Sequence, residues 1–184
     1  MKCTSCGKGQ LIPSFMDSLF RCHTCNHCGG NWVLIEDYVA WRERNPDYSF
    51  ELVDVENLDK HESSKAMLCP VTGSIMSKYR ILSTSPHRLD YSSHVGGVWL
   101  DKGEWDLLKS EGLACCLNVL ITEPWQQKIR ADQARISFTN LYQSRLGEAD
   151  YNKAREIREW LKNHPKKAEL RAYLLSADPY TANR

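Results

Sequence analysis

Apolar and polar positions alternate in short runs through the first two thirds of the chain, whereas beyond Thr122 the apolar positions recur every three or four residues. Alternation is the signature of half-buried strands and the longer period that of helices. The β-branched, aromatic and alternating content between turn residues such as Ser85-Pro86 predicts strands near Lys78 to Leu82, Leu89 to Ser93 and Gly97 to Leu100. A metal-free core of Tyr79, Ile81, Leu89, Tyr91 and Trp99 is expected from them. Ser49 to Val55 reads as extended, and the polar, charged stretch Asn57 to Lys65 as a linker. Breaks at Gly147 and His164-Pro165 divide the last third into helices near 123–146, 150–163 and 165–176, with Ala154, Ile157 and Leu161 as one apolar stripe.

A repeat organises the strand-rich part. The run CGGNWVLIEDYVAW, starting at Cys28, returns as VGGVWLDKGEWDLL, starting at Val95. Trp32 pairs with Trp99, Gly29 and Gly30 with Gly96 and Gly97, and Tyr38 with Trp105, all at an offset of 67; upstream, Cys3 pairs with Cys69 at 66. Each unit then consists of a knuckle, a polar hairpin, a Gly-Gly-x-Trp strand and a short amphipathic helix. In the second unit Asp101 is expected to cap the helix, with Glu104 as its reciprocal partner. The expected fold class is therefore α+β: two small ribbon-like β units, each followed by a short helix, with an α-helical carboxy-terminal extension. The boundaries fall at 1–45, a linker at 46–66, 67–116, and 117–184.

Five of the eight cysteines lie in the first 28 residues. Two Cys-x-x-Cys turns, each presenting two thiolates on one side of a tight bend, satisfy the tetrahedral preference of zinc completely. Cys3, Cys6, Cys25 and Cys28 fit that requirement, each pair followed by a glycine. They are expected to hold one structural zinc ion. Cys22, Cys25 and Cys28 form overlapping pairs, so Cys22 is an alternative ligand in place of Cys25 or Cys28; its alignment with Leu89 favours a core-facing strand position. His23 and His27 read as surface groups or hydrogen-bond partners. Laid onto the second unit, Cys6 falls on Thr72, Cys25 on Ser92 and Cys28 on Val95, which leaves Cys69 alone. A thiol-redox centre is the competing reading, but no strand-to-helix junction of a βαβ unit surrounds these cysteines. Cys115 and Cys116 read as small buried hydrophobes.

Composition narrows the setting. The mean hydropathy of −0.51 and the lack of any apolar run near the roughly 20 residues of a bilayer span argue against membrane insertion. The polar start, Met-Lys-Cys-Thr-Ser-Cys, does not resemble a secretory signal, and a cytoplasmic location is expected. The net charge is +1, but residues 122–184 carry 12 Lys/Arg against 8 Asp/Glu, and the preceding residues 12 against 15. The tail is mildly basic.

The runs CTSCGKGQL, CNHCGGNWV and VGGVWLDKGEWDLL resemble the transcription-factor-IIB-type zinc-finger family of small prokaryotic proteins, over residues 1–44 and again over 67–112. In the first copy the ligands match while Val33, Leu34, Glu36 and Asp37 depart from the family's Leu-Asp-x-Gly-Glu; in the second the tail matches and the ligands do not. The resemblance implies a zinc ribbon and involvement in nucleic-acid or transcription-related binding. Two functions are then expected. One is a protein-interaction adaptor, with Trp125, Trp160, Tyr173 and Tyr180 as anchors, although packing is the preferred role for Trp160 and Tyr173. The alternative is direct nucleic-acid binding through Lys128, Arg130, Arg135, Arg155, Arg158, Lys162, Lys166, Lys167 and Arg171, among which Asp132, Glu156, Glu159 and Glu169 are interleaved. No phosphate loop, nucleophile elbow or His-Glu-x-x-His run is present, so neither an enzyme nor a small-molecule substrate is expected.

Overall fold

The computed structural model describes residues 1–52 and 65–180. Of the expected linker at 46–66, residues 53–64 lie outside the described residues, and with them the end of the extended segment at Val53 to Val55. The chain divides into two compact units, Met1–Gln133 and Ala134–Arg184.

The first unit is built on six antiparallel strands, β1 (Leu11–Met16), β2 (Phe20–Cys25), β3 (Asn31–Leu34), β4 (Ser77–Arg80), β5 (Arg88–Ser92) and β6 (Gly97–Leu100). Their spatial order is β1-β2-β3-β6-β5-β4, which reads the same from either edge once the first three and last three strands are matched. At the centre β3 lies antiparallel to β6, with Trp32 opposite Trp99 and Val33 opposite Val98.

Side chains alternate across a strand, so each face gathers its own core. One face carries Phe20, Cys22, Val33, Leu89, Val98 and Leu100 and is covered by helices; the other carries Leu11, Cys25, Trp32 and Trp99 beside Cys3, Met67, Cys69 and Met76. The covering helices are α1 (Ile35–Arg44), α2 (Glu104–Ser110), a 3-10 turn at Ala114–Cys116 and the short α3 (Leu117–Leu120). Tyr38 of α1 is fully buried and its hydroxyl donates to the Ala114 carbonyl at 3.0 Å. Phe20 meets Tyr38 and Trp105 edge-on, with ring centroids 5.4 Å apart in each case, so aromatics of α1 and α2 converge on one ring.

The start of α4 (Glu123–Leu146) closes the β4 edge. The Gln126 side chain donates to the Arg80 carbonyl (2.9 Å) and accepts from the Arg80 amide (3.1 Å), taking the place of a neighbouring strand. Trp125, expected at the surface, is half-buried instead, and its indole donates to the Ile81 carbonyl at 3.3 Å.

The second unit contains the remainder of α4, then α5 (Glu148–Lys162) and α6 (Lys167–Leu175). Leu161 is its buried member of the expected stripe, whereas Ile157 is 38% exposed. Trp160 and Tyr173, for which packing was the preferred role, are both exposed, and their ring neighbours are His164 and Tyr180.

Candidate metal centre

Two turns and one strand end place four thiols together. Cys3 and Cys6 flank the first knuckle, in which the Gly7 amide donates to the Cys3 carbonyl at 3.1 Å; Cys25 ends β2 and Cys28 follows, with the Gly29 amide donating to the Cys25 carbonyl at 3.0 Å. Both glycines have positive φ, +66° and +73°, the left-handed conformation that a side chain disfavours and that this turn requires.

The sulfur atoms of Cys3, Cys6, Cys25 and Cys28 all lie within 4.8 Å of one another. Cys3 to Cys28 is 3.8 Å and Cys6 to Cys25 is 3.7 Å. A tetrahedral centre with metal–sulfur bonds of about 2.3 Å separates its sulfurs by about 3.8 Å, so the cluster has the dimensions of a four-thiolate zinc site. Cys3 and Cys25 are buried and Cys6 and Cys28 half-buried, and a Cβ at Gly9 would overlap the Cys25 sulfur.

Backbone amides aim at the sulfurs. Gly9 N–H approaches Cys6 Sγ at 3.3 Å, and His27 and Cys28 N–H approach Cys25 Sγ at 3.4 and 3.5 Å. The Gly9 amide, then that of Lys8, lowers the Cys6 thiol to about 6. Burial acts the other way on Cys25, yet the Cys28 and His27 amides outweigh it and the thiol titrates below its ordinary range. Burial raises Cys3 and Cys28, each facing other thiols. A divalent cation favours the thiolate form of all four at once and relieves that conflict.

The overlap with Cys22 is resolved by strand parity. Cys22 and Cys25 are three residues apart on β2, so they point to opposite faces. Cys22 enters the helix-covered core, and its Sγ lies 3.7 Å from Ser14 Oγ; Cys25 faces the other three thiols. His23 and His27 are outside the cluster, the latter contributing only its amide.

A family model described as transcription factor zinc-finger matches residues 2–44. These residues carry one zinc ribbon of that family. With the four-cysteine cluster, the match is consistent with one structural zinc ion. No curated protein and no solved structure matches the chain.

Three expectations near the second Gly-Gly run and beyond need correction or completion. Asp101 does not cap α2: its Oδ1 accepts from the Trp99 indole at 2.7 Å and from Ser5 Oγ at 3.5 Å, and the position before the helix is Gly103. Glu104 does reach back to the Asp101 amide, at 2.8 Å, so half of the reciprocal pair forms. Cys115 is exposed rather than buried, because the segment tightens into a single 3-10 turn; Cys116 is half-buried. Among the described residues, no helix is long and apolar enough to cross a membrane.

Proposed function

We propose that the chain is a non-catalytic, zinc-ordered recognition protein of the cytoplasm, a protein-interaction adaptor made of two fused ribbon copies, of which the second has exchanged its metal for a docking surface. Four protein ligands leave a tetrahedral ion no open position for a substrate, which favours recognition over an enzyme.

Support for the second copy comes from its knuckle. The Gly73 amide donates to the Cys69 carbonyl at 2.8 Å and the Cys69 amide to the Ser74 carbonyl at 2.8 Å, matching Gly7 with Cys3 and Cys3 with Gly9. The bridge Leu68 to Ile75 matches Lys2 to Gln10. Burial raises the Cys69 thiol, but Ser92 and Thr72, at former ligand positions, together with the Thr72 and Val71 amides outweigh it, and it titrates below its ordinary range. A polar remnant thus stands where a metal set would.

The observation that carries the adaptor reading is the chemical exchange at the surface of that turn. Lys2, Ser5 and Gln10 of the first knuckle correspond to Leu68, Val71 and Ile75 of the second, which are 44%, 53% and 72% exposed. Neighbouring exposed apolar side chains of this kind mark contact sites for a protein partner.

Two measurements test this. Metal analysis on protein purified without added metal should give one zinc per chain, lost with Cys3→Ser and kept with Cys69→Ser; two ions, or equal loss in both variants, would overturn the assignment of a metal-bound first copy and a metal-free second. A photo-crosslinking residue at Ile75 should join the chain to a protein that Val71→Asp releases, and the same residue at Gln10 should not. Crosslinking at both positions, or release by neither variant, would remove the adaptor reading. The basic helices support a second reading, nucleic-acid binding, through one particular cleft.

A further inference from the structure

In the second unit α4 and α5 enclose a cleft of about 720 Å³ lined by Arg135, Phe138, Thr139, Tyr142, Tyr151, Arg155, Arg158, Glu159 and Lys162. On α4 the lining positions follow at steps of three and four from Arg135 to Tyr142, and on α5 likewise from Tyr151 to Lys162, so each helix contributes one face. The Tyr151 hydroxyl donates to Thr139 Oγ1 at 3.4 Å across the cleft.

Two features of this lining belong together. It holds four cations and one carboxylate, and that carboxylate, Glu159, leans 3.8 Å from Lys162. Among the described residues no carboxylate pairs with Arg135, Arg155 or Arg158. The charge of the three arginines is therefore uncommitted among the described residues. The same lining holds two aromatic side chains, Phe138 and Tyr142, which are 59% and 49% exposed.

We infer that this cleft binds single-stranded nucleic acid, with the arginines on backbone phosphates and Phe138 and Tyr142 stacking on unpaired bases. The inference rests on the second reading above and specifies the form of the ligand. A duplex keeps its bases stacked on one another and has no free ring face to offer; an acidic peptide would use the cations but not the rings. Only an unpaired strand uses both.

The test is fluorescence anisotropy of the full zinc-loaded chain with a labelled 12-nucleotide oligouridylate, with the matching duplex, and with an oligoglutamate of equal charge. The single strand should bind most tightly, with a log–log salt slope of about −2 to −3 if three or four phosphates are neutralised. Arg155→Gln with Arg158→Gln should bring that slope about 1.4 closer to zero. Tyr142→Ala and Phe138→Ala should each weaken binding about tenfold and leave the slope unchanged, since stacking carries no counterion release. Both side chains are exposed, and unchanged helical circular dichroism serves as the folding control. Equal affinity for the duplex or the oligoglutamate would overturn the single-strand inference, the duplex result leaving nucleic-acid binding in place. Failure to bind either nucleic acid would remove the second reading as well, and binding that is insensitive to all four substitutions would move the site elsewhere.

Discussion

The second glycine of each Gly-Gly-x-Trp run sits where the two halves of the sheet meet. A Cβ at Gly30 would overlap the Trp99 indole, and a Cβ at Gly97 would overlap that of Trp32. Each indole lies across the glycine of the other run, and both tryptophans are about 1% exposed or less. The run thus reads as a reciprocal packing device: the tryptophan fills space that the partner's glycine vacates. Gly97→Ala should cost ~1–3 kcal/mol, the usual range for overpacking a filled core. Combining it with Trp32→Phe, which removes the overlapped benzo ring, should recover part of that loss in urea unfolding. Additive costs in the double variant would show that the two groups are independent.

At the scale of elements, α2 begins around a buried carboxyl. Burial first, then the neighbouring charge of Asp101, holds Glu104 well above the ordinary carboxylate range, against the donated Asp101 amide. A carboxyl raised on folding favours the native state most fully below its unfolded value, about 4.3, and loses that contribution as pH rises through the folded value. Glu104→Gln keeps an acceptor for the Asp101 amide and does not titrate. Its stability relative to the parent chain, measured by denaturant unfolding, should therefore increase as pH rises above about 4.3 and level off past the folded value. A pH-independent difference would show that Glu104 ionises in the native state as readily as in the unfolded one.

The limits of sequence reading lie at the same scale. The strands β4 to β6 and the three long helices were legible within a residue or two, because alternation, the three-to-four period and breakers at Gly147 and Pro165 are local signals. The four-cysteine cluster was legible from the spacing of its two Cys-x-x-Cys runs. Three features were not, since each is decided by packing rather than by local pattern. Pairing of β3 with β6 leaves no local mark. The Asp101 side chain turns to the indole of Trp99, which is fully buried, although its position suits a cap, because a buried N–H left unpaired is costly. The aromatic lining of the α4–α5 cleft depends on two helices meeting, and only the spacing of Arg135, Phe138 and Tyr142 at steps of three and four marks its α4 side in the sequence.

For the molecule as a whole, the two cores differ in what they couple. The sheet face away from the helices joins Cys3, Cys25 and Trp32 from one half to Met67, Cys69, Met76 and Trp99 from the other in a single cluster. Metal-free folding of residues 67–116, as their own apolar content suggests, would have to proceed without Trp32 against Gly97 and without β3 on β6. Because that seam is shared, chelation of zinc should loosen more than the residues that bind it. Hydrogen exchange after treatment with a chelator should show β5 and β6 losing amide protection together with β2 and β3, while amides of α5, in the other compact unit, keep theirs. Retained protection in β5 and β6 would instead mean that the second half supports itself, and that the seam between Trp32 and Trp99 forms only after each half has folded.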